Sequence, residues 1–299
     1  MKAGAVRISS LGAARTATLV NIGRSSSWGA NSGQRRSIVL AALLLASTAT
    51  AAVNLSPTET RRIGKKIWQN ECNGTVTGLT SWNEGENFAS LGIGHFIWYP
   101  EGVRGPFEES FPHFVRFVAN AATSGRSLSF PKILDSKGLN SCPWNSRAQF
   151  LSARNSPEMT ELRIFLANTI VLQAAFLVQR LQQALPKMLA EVAAPKRAQV
   201  QQQFDRVANS ARGCYALVDY VNFKGEGVLA TERYAGQGWG LLQVLEGMSQ
   251  ESSGREAVTN FAQSAKTVLT RRVHNSPPER KESRWLPGWL HRIDTYVEN

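Results

Sequence analysis

The stretch WQNECNGTVTGLTSWNEGENFASLGIGHFIWYP, residues 68–100, is the most informative part of this 299-residue chain. It brings three tryptophans and a Gly-Ile-Gly-His turn together with three carboxylates, Glu71, Glu84 and Glu86. Acidic side chains gathered beside flat apolar rings are unexpected in a chain whose formal net charge is +12. The residues on either side of the stretch indicate how the three carboxylates are presented.

A helix is predicted upstream and a small β element downstream. Ile63 and Ile67 have the apolar spacing of an amphipathic helix that begins after Ser56-Pro57, with Thr58 or Thr60 as its cap, and ends near residues 71–73. Glycines then break the helix, and short apolar runs separated by turn residues follow. We therefore expect Glu71 at a helix end and a β-hairpin element over about 74–99.

The remainder of the chain is predicted to be helical. Residues 100–210 are expected to form a long insertion, with helices near 113–125 and 156–192, the latter interrupted at Pro186. A helical core is expected over about 197–299, with helices around 197–222, 233–248 and 254–272 and a last one after Pro287. The fold class is therefore α+β, mostly α.

The N-terminal residues have the pattern of an export signal. QRRSIVLAALLLASTATAAV, residues 34–53, contains a basic start, a short apolar run and an Ala-x-Ala cleavage site. Residues 1–51 are therefore expected to be a leader and signal peptide, which leaves 52–299 as the mature domain. We expect a periplasmic or secreted protein with no membrane span after cleavage; the alternative is an uncleaved anchor.

Charge and cysteine usage limit the partners. Residues 1–51 hold six basic and no acidic side chains, so only half of the net charge remains on the mature chain. This bias suits an anionic polymer and gives no reason to expect nucleic acid. The three cysteines allow one disulfide with a free thiol, and their pairing stays open. No metal-binding spacing occurs, and no metal or cofactor is expected.

The carboxylates suggest glycosidic bond cleavage, which uses one acid to protonate the leaving oxygen and a second to activate water or stabilise positive charge. Glu71, at a helix end beside Trp68, is the candidate general acid, and the turn residue Glu84 is the candidate second carboxylate. Trp82 and Glu86 are candidate sugar contacts. The competing interpretations are a solvated turn for Glu84 and Glu86 and core packing for Trp82.

EGENFASLGIGHF, residues 84–96, resembles the catalytic β-hairpin of phage-type lysozymes within the lysozyme-like muramidase superfamily. The resemblance implies a lysozyme-like fold, with Glu84 on the family's catalytic aspartate, Ser90 on its catalytic threonine and Glu71 on its helix-borne glutamate. Gly92, Gly94 and His95 match the structural turn. His95 is expected to be structural, bonded to Asp219 or Asp205.

Two later segments extend the resemblance. YALVDYVNFKGEG, residues 215–227, is similar to the family's long buried helix and the turn after it. NSPPERKESRW, residues 275–285, resembles the Asn-x-x-Pro-x-Arg segment, which implies that Arg280 lies near the catalytic glutamate. Between them, a glycine-rich segment is interpreted as either a helix corner or a sugar-binding wall formed by Tyr234, Gln237 and Trp239.

The resemblance implies an exported glycoside hydrolase that cleaves β-1,4 bonds of peptidoglycan or a related aminosugar polymer. Lytic transglycosylases and chitosanases share the core architecture and remain open. An inactive cell-wall-binding or inhibitor module is favoured by Glu84 in place of an aspartate. A hydrolase that uses Cys72 as its nucleophile is a third hypothesis. The stereochemical course, inverting or retaining, also stays open.

Overall fold

The computed structural model describes residues 53, 55–123, 128–134, 140–249 and 254–298. The expected leader and signal peptide, residues 1–51, lie outside this part of the chain. The described residues confirm the expected class, since they are mostly helical and include a small antiparallel sheet.

Helix α1, Pro57–Cys72, carries Glu71 on its last turn. Ser56 caps the helix rather than Thr58 or Thr60: its hydroxyl accepts from the Glu59 amide, and the Glu59 carboxylate accepts from the Ser56 amide at 2.8 Å. The helix stops where Asn73 takes a left-handed conformation with φ of 51°. The predicted end near residues 71–73 is confirmed.

Three short strands follow: β1, Thr80–Ser81; β2, Ala89–Leu91; and β3, Phe96–Trp98. They form an antiparallel sheet in the order β1-β2-β3, with Ser81 opposite Ser90 and Ser90 opposite Ile97. The loop between β2 and β3 lies on a later helix, Ile170–Glu191, where the buried Gln173 accepts from the Ile93 amide at 2.8 Å. A Cβ atom on Gly92 would lie 2.3 Å from the Gln173 side-chain oxygen, so this contact requires glycine.

The segment after the sheet contains α2, Phe111–Thr123; α3, Arg147–Ser152; α4, Pro157–Asn168; α5, Ile170–Glu191; and α6, Ala194–Ala208. The expected interruption at Pro186 is wrong, because α5 continues through it. A helical proline costs about 3 kcal/mol, and burial of the neighbouring apolar side chains Leu185 and Met188 offsets that cost. The chain bends by 68° at Thr169 instead.

Taken singly, none of the helices in the described ranges is long and apolar enough to cross a membrane; α4 and α5 together meet that test only as a bent pair.

The C-terminal part contains α7, Ala211–Lys224; β4, Arg233–Tyr234; β5, Gln237–Gly238; α8, Leu241–Glu246; α9, Arg255–Asn275; and α10, Leu286–Asp294. Helix α7 is the central buried helix and packs against α1, α5, α6, α8 and α9. The helix expected over 197–222 is two helices, because Ser210 caps α7 by accepting from the Gly213 amide.

The first part of the helix expected over 233–248 is a β-hairpin. Strands β4 and β5 pair around Ala235 and Gly236, which both have positive φ, as a tight two-residue hairpin turn requires. Only α8 remains of the predicted helix. The local turn chemistry therefore overrides the apolar spacing on which the prediction rested.

Candidate active site

Glu71 lies where the end of α1 meets α7 and α10, with its side chain 11% exposed. Its Oε1 accepts a hydrogen bond from Nη2 of Arg292 in α10. The side-chain amide of Asn222 in α7 lies 3.5 Å from the same oxygen. One oxygen of the carboxylate is therefore held by two other helices, which fixes the orientation of the group.

Arg292 is fixed in turn by Asp219, a fully buried residue of α7. The guanidinium donates to both Asp219 oxygens at 2.8 Å, and the Tyr296 hydroxyl donates to Oδ2 at 2.7 Å. Burial alone would lower the pKa of Arg292, but the charges of Asp219 and Glu71 and the hydrogen bonds from Arg292 to Asp219 raise it overall. Arg292 is therefore a permanent cation shared by two carboxylates.

The second oxygen of Glu71 is placed differently. Oε2 lies 3.7 Å from Nδ1 of His95, and both residues line a cleft of about 360 Å³ between the end of α1 and the sheet. Hydroxyl, amide, thiol and backbone groups form the rest of the lining, namely Cys72, Asn73, Thr75, Thr77, Gly78, Ser81 and Asn83. A carboxylate with one fixed oxygen and one oxygen facing a polar cleft is suited to exchange a proton with a bound molecule.

The other two catalytic candidates lie near this cleft without lining it. Glu84 is exposed on the turn between β1 and β2, next to the lining residue Asn83. Ser90 is buried in β2, on the same face of the sheet as its cross-strand partner Ser81, which does line the cleft. Among the described residues that line the cleft, Glu71 is the one acidic side chain.

Trp82 and Glu86 shape the turn that carries Glu84. The Trp82 indole donates to the Glu86 carbonyl at 2.8 Å, and its buried ring packs against Phe150. The Glu86 carboxylate accepts from the Asn83 amide at 3.1 Å. These contacts assign Trp82 to the core and Glu86 to the turn, so the buried Trp82 ring is not free to stack on a sugar in this conformation.

His95 faces Glu71 and neither of the aspartates expected from the sequence. Asp219 is occupied by Arg292 and Tyr296, and Asp205 accepts from the Gln201 amide. The backbone of His95 is left-handed, with φ of 46°, and its amide lies 3.3 Å from the Gly92 carbonyl. The tight turn thus points the imidazole toward the cleft.

The glycine-rich wall forms a second cluster. The Tyr234 hydroxyl donates to Glu282 at 2.9 Å, and its ring lies 4.5 Å from the buried ring of Trp239. Gln237 is exposed on β5. Arg280 is 59% exposed, and its Nη1 lies 3.9 Å from the buried Glu282.

The arginine beside Glu71 is therefore Arg292, and the expectation for Arg280 is wrong. The sequence did contain a signal for this ion pair. Asp219 stands alone in the apolar run YALVDYV, and a buried carboxylate in such a helix requires a cation or several hydrogen-bond donors. Which of many arginines supplies that cation depends on the tertiary fold.

Cys72 lines the cleft but is poorly suited to be a nucleophile. Burial, followed by the negative charge of Glu71, raises the pKa of its thiol to about 12. The reactive thiolate is therefore scarce at neutral pH. All three cysteines, Cys72, Cys142 and Cys214, are free and buried in the structure.

Within the described ranges, no group of three or more His, Cys, Asp or Glu side chains is arranged to hold a metal ion. Comparison with protein-family models, with curated proteins and with solved structures finds no match to this chain.

Proposed function

We propose that the protein is an exported glycoside hydrolase that cleaves β-1,4 bonds of peptidoglycan or a related aminosugar polymer, with Glu71 as the general acid. The observation that carries the proposal is the asymmetry of the Glu71 carboxylate. Arg292 and Asn222 hold Oε1, whereas Oε2 lies 3.7 Å from His95, and Glu71 and His95 together line a cleft with hydroxyl and amide groups. The resemblance of residues 84–96 to the phage-type lysozyme hairpin supplies the bond and the substrate class.

In this mechanism Glu71 donates a proton to the glycosidic oxygen as the bond to the sugar carbon breaks. Arg292 hydrogen-bonds the carboxylate that remains after the proton has left, and Asp219 keeps the guanidinium in place for that contact. Side chains such as Ser81, Asn83 and Thr77 supply hydrogen-bonding groups for sugar hydroxyl and acetamido substituents.

Glu84 is the proposed second carboxylate and activates a water together with Ser90. Because Glu84 is exposed and does not itself line the cleft, this role requires its part of the turn to move toward the bound sugar. Gly85, with φ of 81°, sits at the tip of that turn, where a Cβ atom would have no neighbouring atom within 4 Å. A water held between the two carboxylates gives inversion at the sugar carbon.

A lytic transglycosylase is the second candidate, and it is favoured by Glu71 being the one acidic side chain in the described lining of the cleft. In that reaction Glu71 first protonates the leaving oxygen and then, as a carboxylate, accepts the proton of the sugar's own 6-hydroxyl. That hydroxyl attacks the anomeric carbon, so that the product has an intramolecular anhydro end and no water is consumed. Glu84 has no role in this route.

Digestion of purified peptidoglycan sacculi, followed by mass spectrometry of the fragments, tests the proposal. Reducing ends support hydrolysis, and fragments lighter by one water support the transglycosylase. Intact sacculi that nevertheless bind the protein contradict both routes and support the binding-module alternative.

A further inference from the structure

The last helix presents an aromatic face that leads away from Glu71. Trp285, Trp289 and Arg292 are spaced i, i+4 and i+7, so they lie along one side of α10. At 1.5 Å per residue, the seven positions from Arg292 to Trp285 cover about 10 Å. One end of this face is hydrogen-bonded to Glu71, and at the other end Trp285 is 45% exposed.

Ring contacts make this face continuous. The Arg292 guanidinium lies 4.2 Å from the Phe223 ring centroid, and Phe223 packs edge-on against Trp289 at 6.3 Å. Trp289 and Trp285 are 6.2 Å apart with their planes only 31° from parallel. We call Phe223, Trp289 and Trp285 the aromatic track. Each of its three side chains is partly or largely exposed, whereas Trp82 and Trp239 are buried.

Positive charge borders the outer end of the aromatic track. The Arg284 guanidinium lies 4.4 Å from the Trp285 ring centroid, and Arg280 and Lys281 are exposed on the same segment. Glu279 is the exposed acid there, because Glu282 is buried and bonded to Arg272. The segment ERKESR, residues 279–284, therefore presents more positive than negative charge to solvent.

We propose that the aromatic track binds the glycan strand on one side of the cleavage point, with a sugar ring on the exposed Trp285, and that the adjacent cations select strands that carry carboxylates. Trp289, whose ring has the Lys224 ammonium 3.3 Å from its centroid, supports Trp285 from the protein side. This inference rests on the proposed function and narrows it. Flat apolar rings with polar edges suit the faces of sugar rings. Exposed guanidinium groups attract carboxylates and repel amines, so an anionic peptidoglycan strand fits this surface and cationic chitosan does not.

Binding measured in a cleavage-deficient background tests the proposal. Glu71→Gln protein is sedimented with purified sacculi, with chitin and with chitosan. Adding Trp285→Ala is expected to weaken sacculus binding about five- to tenfold, in line with the loss of one aromatic contact. The matched control is Ile164→Ala, which removes an exposed apolar side chain (54% exposed) from α4 and is expected to bind as the background does.

Arg284→Gln tests the charge selection, with Arg61→Gln on the exposed side of α1 as its control. We expect Arg284→Gln to weaken sacculus binding about threefold at low salt and to have little effect on chitin, since exposed ion pairs are weak and screened by salt. The Glu71→Gln protein without further changes is expected to bind sacculi more tightly than chitosan.

Equal sacculus binding by Trp285→Ala and Ile164→Ala would overturn the aromatic track, and a preference for chitosan would overturn the charge selection. Both results leave cleavage by the wild-type protein untouched. Conversely, if wild-type protein leaves sacculi intact while Trp285→Ala still weakens binding, the proposed function fails and the binding surface stands.

Discussion

Glu71 and Glu282 are both glutamates that accept hydrogen bonds from an arginine, yet Glu71 is partly exposed and Glu282 is buried. Glu282, with a side chain 1% exposed, receives Arg272 on both oxygens at 2.8 and 2.9 Å and the Tyr234 hydroxyl at 2.9 Å. Burial alone would raise the pKa of Glu282, but these hydrogen bonds lower it overall. Glu71 shares its arginine with Asp219 and keeps one oxygen toward the cleft.

The difference separates a structural carboxylate from a chemically available one. Glu282 has its charge and both oxygens satisfied by the protein, which suits a group that closes a corner between α9 and α10. The Glu71 carboxylate is held firmly enough to keep its orientation and is still open on the side where a substrate would bind. The first three predictions below test the arrangements that create this contrast.

The largest expected effect concerns whether Glu71 needs a second carboxylate. Under hydrolysis, Glu84→Gln should lower the cleavage rate by about 100-fold or more, because the amide cannot accept the proton of the attacking water. Glu86→Gln, the matched change two residues away, should have a mild effect because that side chain bonds within the turn. Dye release from labelled sacculi measures both.

Near-normal turnover in Glu84→Gln together with anhydro ends would assign the reaction to Glu71 alone. If Glu86→Gln is the lethal change instead, the alignment with the lysozyme hairpin is displaced by two residues, and the roles of these acids are exchanged.

A roughly tenfold lower cleavage rate is expected when Arg292 loses its ion pair with Asp219. Asp219→Asn removes a buried charge that pairs with Arg292, which should lower the free energy of unfolding by about 3 kcal/mol. The displaced guanidinium should also lower the cleavage rate per folded molecule about tenfold, through misorientation of Glu71. Denaturant unfolding and rates corrected for folded fraction measure the two effects; loss of stability with an unchanged rate would make Asp219 purely structural.

The smallest expected effect is a change in the melting temperature of the protein, caused by Lys224, whose pKa the charge of Glu282 influences. Burial and then the charge of Arg272 lower the pKa of Lys224 to about 6, against an ordinary value of 10.5, despite the opposing charge of Glu282. Between those pH values the unfolded chain binds one more proton than the folded chain, so this residue makes stability rise with pH across that window. Lys224→Met should therefore raise Tm at pH 7 by about 3–6 °C and flatten the rise between pH 7 and 9.

The control for this change is Lys187→Met, since the Lys187 side chain is 57% exposed and pairs with Glu226. It should leave the pH dependence of Tm as it is in the parent. An unchanged slope in Lys224→Met would mean that Lys224 stays protonated in the folded protein, above the ring of Trp289.

The parts of the fold that follow from local chemistry were predicted well. The end of α1 depends on Asn73 and Gly74, and the small sheet depends on turn residues and short apolar runs, all of which are visible in the sequence. The continuation of α5 through Pro186 and the hairpin at Ala235 were missed. The continuation of α5 depends on burial against other helices. The hairpin shows that two turn residues can outweigh helical spacing over a longer segment.

The sequence points to Glu71 as a candidate site residue but does not reveal which arginine pairs with it. The neighbours of Glu71 in the sequence make it a candidate, but its partner Arg292 is 221 residues away along the chain. Such a contact is set by how α1, α7 and α10 pack, and no spacing rule reaches that far. The segment that resembles the family motif predicts Arg280 beside Glu71, whereas in the structure Arg280 lies 3.9 Å from Glu282.

The most direct test of the central claim compares Glu71→Gln with Glu282→Gln. Both changes replace a carboxylate beside an arginine with an amide of the same shape, and both are measured by muropeptide release from sacculi, corrected for folded fraction. If Glu71 is the proton donor, Glu71→Gln should slow release by at least about 100-fold while the protein stays folded and bound. Glu282→Gln should lower stability but keep the rate per folded molecule within about threefold. Near-normal release by folded Glu71→Gln would contradict the account.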